Sequence, residues 1–109
     1  MDTLREKRHS IRHACDGPLT LMYTQPRSPH FEARLLNFSE RGLCFSSHHP
    51  MRPGTTVLVR ASPVHYRKQS EDAGFQLPTM AFAVIKWCQE SRQQGLPVHT
   101  MGAVYLVPY

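Results

Sequence analysis

The chain has 109 residues, the length of one ordinary hydrophobic core, and two cores would each be undersized. Lys and Arg outnumber Asp and Glu by 13 to 8, which suits a small anionic partner and falls short of what a protein riding on DNA or RNA phosphates needs. The three cysteines, Cys15, Cys44 and Cys88, are scattered with no C-x-x-C pair, which argues against a disulfide framework or a zinc knuckle, and no run approaches the ~20 apolar residues of a membrane span. A soluble, cytoplasmic protein without membrane insertion is the expectation.

Residues 1–17 are polar and basic and close on Asp16-Gly17-Pro18, strong turn chemistry, so they read as an arm in front of a domain covering residues 18–109. Leu19, Leu21 and Tyr23 alternate as in a first strand, and Pro26 and Pro29 break the chain behind them. Phe31, Ala33 and Leu35 share one parity in a second strand. It runs into a hairpin turn at residues 37–42 and resumes as Leu43-Cys44-Phe45-Ser46. After a loop holding His48, His49 and Pro53-Gly54, residues 55–61 are rich in β-branched side chains.

Residues 67–78 are polar, contain Gly74 and Pro78, and read as a loop. The last two apolar runs, residues 79–88 and 99–107, form a closing hairpin around the polar segment 89–97. In the first of them Phe82 and Val84 share one parity and Ala83, Ile85 and Trp87 the other, so both faces are apolar, as in the middle of a closed barrel or under a neighbour; Trp87 reads as core or as packing against a ligand base, with the core favoured. Strand signals at regular spacing, without a 3.6-residue stripe, predict an all-β sandwich or barrel.

Two elements carry chemistry. Lys7-Arg8-His9-Ser10-Ile11-Arg12 contains two arginines four apart behind a third cation. In extended chain that spacing puts both guanidinium groups on one side, ~13 Å apart at the backbone, from where long side chains converge. Their planar forks suit phosphate oxygens and the O6/N7 edge of guanine, and they stack on bases. The second element is Asn37-Phe38-Ser39-Glu40-Arg41-Gly42. Asn37 and Ser39, two apart, share a face on which an amide carbonyl and a hydroxyl meet a purine edge, while Phe38 points into the barrel. Gly42 is expected in a left-handed or otherwise glycine-only conformation, leaving room for a ligand close to the backbone.

Arg8-x-x-x-Arg12 followed by Asn37-x-Ser39-x-x-Gly42 is similar to the RxxxR and (D/N)xSxxG pair of the PilZ domain family, and residues 83–87 and 101–105 resemble its late strand pair. The resemblance spans roughly residues 5–107. It implies a six-stranded antiparallel β-barrel, split-barrel in type, with a basic N-terminal arm laid over cyclic di-GMP. Arg8 and Arg12 would contact phosphate and guanine, with Asn37, Ser39 and Gly42 as the opposite wall. Lys7 stands where the residue before RxxxR influences whether one or two ligand molecules bind. Asn37 replaces the more usual Asp, which removes a charge and keeps an acceptor. No cofactor is implied beyond the ligand cyclic di-GMP, and the output is passed to a downstream protein partner in motility, pilus, exopolysaccharide or biofilm control.

Other classes find less support. The seven histidines are scattered, the adjacent His48 and His49 diverge, and Cys44 and Cys88 read as small buried hydrophobes, so no metal is expected. Asp2, Glu6, Asp16 and Glu32 form no paired set and no nucleophile motif occurs, so the chain is not expected to be an enzyme. The alternative is a PilZ-like module that docks on a protein and binds no nucleotide.

Overall fold

Leu19, Leu21, Leu35, Phe38, Leu43, Phe45, Val57, Val59, Ala83, Ile85 and Met101 are buried to 3% exposure or less and point inward from their strands, a register shift after Leu35 carrying the inward side on to Phe38. A computed structural model describes residues 11–74 and 77–106 and arranges these side chains inside one barrel. Its strands are β1 (His13–Tyr23), β2 (His30–Phe38), β3 (Gly42–Ser47), β4 (Thr56–Ala61), β5 (Met80–Gln93) and β6 (Leu96–Tyr105). They close in the order β1-β2-β3-β6-β5-β4, and every neighbouring pair is antiparallel. The expected six-stranded barrel is what the sequence forms.

Three local expectations need correction. Residues 13–17, read as arm, belong to β1. Asp16-Gly17-Pro18 makes no chain-reversing turn; the β1–β2 register shifts between Ala14 and Gly17, which is a bulge inside a strand, and the Asp16 carboxylate pairs with Arg34 of β2.

The second correction is helix α1 (Pro63–Ala73), where a polar loop was expected. Ser62 caps its start by accepting the His65 N–H, Pro63 opens its first turn, and Gly74, in the left-handed region at φ 82°, ends it. So polar a helix is held by a few side chains: Ser70 is buried and its Oγ accepts the Leu77 N–H at 3.0 Å, and Ala73 packs against the core. Tyr66 is buried, and its hydroxyl donates to the Pro18 carbonyl at 2.7 Å.

Third, the polar segment between the last two runs is mostly strand. β5 and β6 stay paired from Cys88↔Met101 to Gln93↔Leu96 and turn on two residues, Gln94 at φ 53° and Gly95 at φ 80°. Two successive positive φ angles match the right-handed twist of a tight hairpin. The exposed residues Gln89–Gln93 are therefore a paired ribbon.

Candidate functional site

The two sequence elements meet on the outer wall of the barrel. Arg12, just ahead of β1, donates from Nη1 to Oδ1 of Asn37 at the end of β2, 2.9 Å away and 25 residues along the chain. Strand register then carries the outer wall onward, because Ala14 faces Asn37, Asn37 faces Cys44, Cys44 faces Gly102 and Gly102 faces Trp87. Each step is one strand spacing, so Asn37 and Trp87 stand roughly 14 Å apart at the backbone.

Between them lie only Cys44 and Gly102, two small residues; the Trp87 indole covers Gly102, so the low floor of the shallow trough between the banks is at Cys44. Arg12 and Asn37 form one bank. Burial pushes the Cys44 thiol above its ordinary range, against the opposing pull of the Arg12 charge and a hydrogen bond with the Asn37 side chain. The thiol is thus held neutral beside the guanidinium, and the positive charge at this bank belongs to Arg12.

Trp87 forms the other bank; of the two readings the sequence offers for it, core or ligand base, the favoured core reading is corrected. The β5–β6 register shifts between Ile85 and Trp87, and this bulge turns the indole outward, leaving it 42% exposed. It lies on Gly102: a Cβ built there would sit 2.1 Å from Trp87 Nε1 and 2.5 Å from Cε2. A bulge has no compositional mark; the one trace in the sequence is a glycine facing a tryptophan, which is visible only once the pairing is known.

Ser39 and Gly42 shape the turn. Ser39 is buried, its N–H donates to the Gly42 carbonyl at 2.8 Å, and its Oγ accepts the Arg41 N–H at 3.2 Å. Gly42 is not among the positive-φ residues, so the expected left-handed conformation is corrected. Its requirement is steric, since a Cβ there would meet the Ala103 carbonyl oxygen at 2.1 Å, and only glycine lets β3 approach β6 so closely. Phe38 points inward and is fully buried, as expected. Lys7 and Arg8 lie outside the described residues.

The remaining candidates separate. Cys44 and Cys88 are half-buried, neither a member of the fully buried core. His48 and His49 go to different partners: His48 Nδ1 lies 3.0 Å from the Pro97 carbonyl, whereas the His49 ring stacks on Phe31 at 3.6 Å and meets the Tyr23 hydroxyl at 2.8 Å. Among the described residues, no three His, Cys, Asp or Glu side chains gather as a metal site, and no helix is long and apolar enough to cross a membrane. A cavity of about 510 Å³ between α1 and the chain leading to β5, lined by Tyr66, Arg67, Ser70 and Leu77 among others, shares no residue with the trough.

No family model and no curated protein matches the sequence. Among solved structures, the chain is similar to the PilZ domain of YcgR from Escherichia coli, described with c-di-GMP. The match has a TM-score of 0.60 at 10% identity and covers 92% of this chain and 78% of that one. At that identity the likeness establishes the fold, which is the PilZ fold.

Proposed function

We propose that this PilZ-fold chain is a receptor for cyclic di-GMP, which it takes on the outer wall of the barrel between the Arg12–Asn37 bank and the Trp87 bank. The observation that carries the reading is the 2.9 Å hydrogen bond between Arg12 and Asn37, because it joins the two motif halves in space. In this reading the guanidinium of Arg12 donates to phosphate and to the Hoogsteen edge of guanine, and Arg8 and Lys7 add cations from the N-terminal segment. Asn37 orients Arg12 and offers an amide to a base. Trp87 gives a second base a flat apolar surface, and the small Cys44 beside it lets that base come down toward the sheet.

The ligand carries two phosphates and two guanines, and the trough offers one charged and one aromatic bank to match. Ser39 and Gly42 act through the turn that fixes Asn37 beside β3. The work is recognition without catalysis: binding changes the surface shown to a downstream protein. A cytoplasmic role in motility, pilus, exopolysaccharide or biofilm control follows from such a receptor.

Calorimetric titration with cyclic di-GMP tests the proposal. Micromolar or tighter binding to the full chain, lost in Arg8→Ala and Arg12→Ala, is the expected outcome. Absence of heat at high protein concentration overturns it in favour of a nucleotide-independent interaction module.

A further inference from the structure

β5 and β6 run past the strands beside them. β4 pairs with β5 only as far as Val84, and the backbone bonds on that side end at Ile85, which accepts the Gly54 N–H at 2.7 Å and donates to the Thr55 carbonyl at 2.9 Å. Beyond that point the outer side of β5 meets no third strand among the described residues, and Gln89, Glu90, Ser91, Arg92 and Gln93 are all exposed. Such an edge is a template for another strand.

The hairpin turn decides which groups the edge presents. A two-residue turn makes its flanking residues, Gln93 and Leu96, exchange both backbone bonds, and bonded and non-bonded pairs alternate from there. Pro97 agrees with this phase, because it faces Arg92 and has no N–H to give it. Gln93, Ser91 and Gln89 therefore bond to β6, whereas Arg92, Glu90 and Cys88 turn their N–H and C=O groups to the open side.

We propose that this edge pairs with the same edge of a second copy, antiparallel about a two-fold axis, so that two barrels share one ribbon in the order β6-β5-β5-β6. The stretch Gln89-Glu90-Ser91-Arg92-Gln93 complements its own reverse. With Ser91 on the axis, Glu90 of each copy faces Arg92 of the other, and these are the residues whose backbone groups point outward. Neighbouring registers fail on charge: centring on Glu90 opposes two carboxylates, centring on Arg92 opposes two guanidinium groups, and centring on Gln89 brings Lys86 toward Arg92. Opposite charges directly across a strand pair stabilise it and like charges destabilise it, so charge selects the Ser91-centred register. Arg92 is already held beside the edge, its Nη1 donating to the Gly95 carbonyl at 2.6 Å, and the guanidinium has further donors for a carboxylate. A strip this short makes a weak, reversible interface.

Two measurements on the full chain without nucleotide test this. In sedimentation velocity at rising micromolar concentrations, the wild type should pass from one chain toward two. Glu90→Arg should raise the dimer dissociation constant by roughly tenfold or more, and adding Arg92→Glu to it, which restores opposite charges in swapped order, should recover the dimer. Mild oxidation traps the register: Ser91→Cys sets two thiols across the axis, about 4.5 Å apart at the backbone, and should give a disulfide-linked dimer. Gln89→Cys is the control, since its two copies stand about 14 Å apart in this register, and it should cross-link no faster than the wild type with its own three cysteines. Circular dichroism melts establish that each variant is folded, and Arg12→Ala should leave the dimer intact, which separates this outcome from that of nucleotide binding. A wild type that stays monomeric throughout, a charge-swapped double variant no better than Glu90→Arg alone, or Ser91→Cys cross-linking no faster than Gln89→Cys overturns the proposal.

Discussion

Arg12 reaches Asn37 across the β1–β2 pair, and Ala14, two residues along, faces the same asparagine in register. The start of the barrel and the end of its first hairpin are therefore tied by a side chain as well as by the ladder. Removing either partner has different consequences. Arg12→Ala deletes a charged donor and is expected to weaken cyclic di-GMP binding by about 1.5–3 kcal/mol, the range for hydrogen bonds to charged groups. Asn37→Asp keeps an acceptor and adds a charge that grips Arg12 more firmly, so binding should persist. Calorimetry on the two single variants and the double variant checks both statements.

Trp87 is the chain's one tryptophan, and its indole forms a bank of the trough. Titration with cyclic di-GMP should change its fluorescence directly, with no label. Trp87→Ala is expected to lose about 1–3 kcal/mol of affinity, the range for stacking a base on an aromatic ring, and Trp87→Phe should recover part of it. An unchanged emission spectrum at saturating nucleotide would remove Trp87 from the site.

Gly42→Ala drives a methyl group toward the Ala103 carbonyl. The β3–β6 pair must part locally to receive it, at a cost of about 1–3 kcal/mol by analogy with overpacking. The melting temperature should fall and amide exchange should accelerate at Ala103 and Val104. Binding would weaken as a consequence of a displaced turn.

Alkaline pH should destabilise the fold through groups that packing keeps protonated. Burial, aided by the Asp16 charge, raises the Cys15 thiol from 9.0 to about 11, and burial also pushes the Tyr66 hydroxyl well upward. Above pH 9 the unfolded chain releases the Cys15 proton while the folded chain keeps it. Stability present below pH 9 is therefore lost progressively toward pH 11. Melting temperatures measured across that window should decline, and Cys15→Ala should make the decline shallower. The same shift makes Cys15 slow to alkylate at neutral pH.

Much of this was legible because the barrel writes itself as alternation. Leu19 and Leu21, or Leu43 and Phe45, need no partner to declare which side faces in. The features that escaped depend on contacts distant in sequence. Ser62-Pro63 and Gly74 are ordinary helix start and stop signals, yet the stretch between them has almost no apolar stripe, and what fastens it is Tyr66 reaching Pro18 and buried Ser70 accepting from Leu77. Trp87 follows the parity of Ala83 and Ile85 until a bulge reverses it. Of the candidate site, Arg12 and Asn37 were legible as chemistry, whereas the requirement at Gly42 is the close approach of Ala103 on β6, which no local pattern marks.

β1 pairs with β2 on one side and β4 on the other, and that second pairing closes the ring. Within the ring, among the described residues, each strand is paired on both sides, and open edges remain only where the β5–β6 ribbon runs past its neighbours, at Cys88–Gln93 and Leu96–Val98. What the closed ring itself recognises, it must read with side chains. Those side chains stand on the alternate positions that the interior does not use, so the shape of the protein and its choice of partner are inscribed on interleaved residues and can be altered separately.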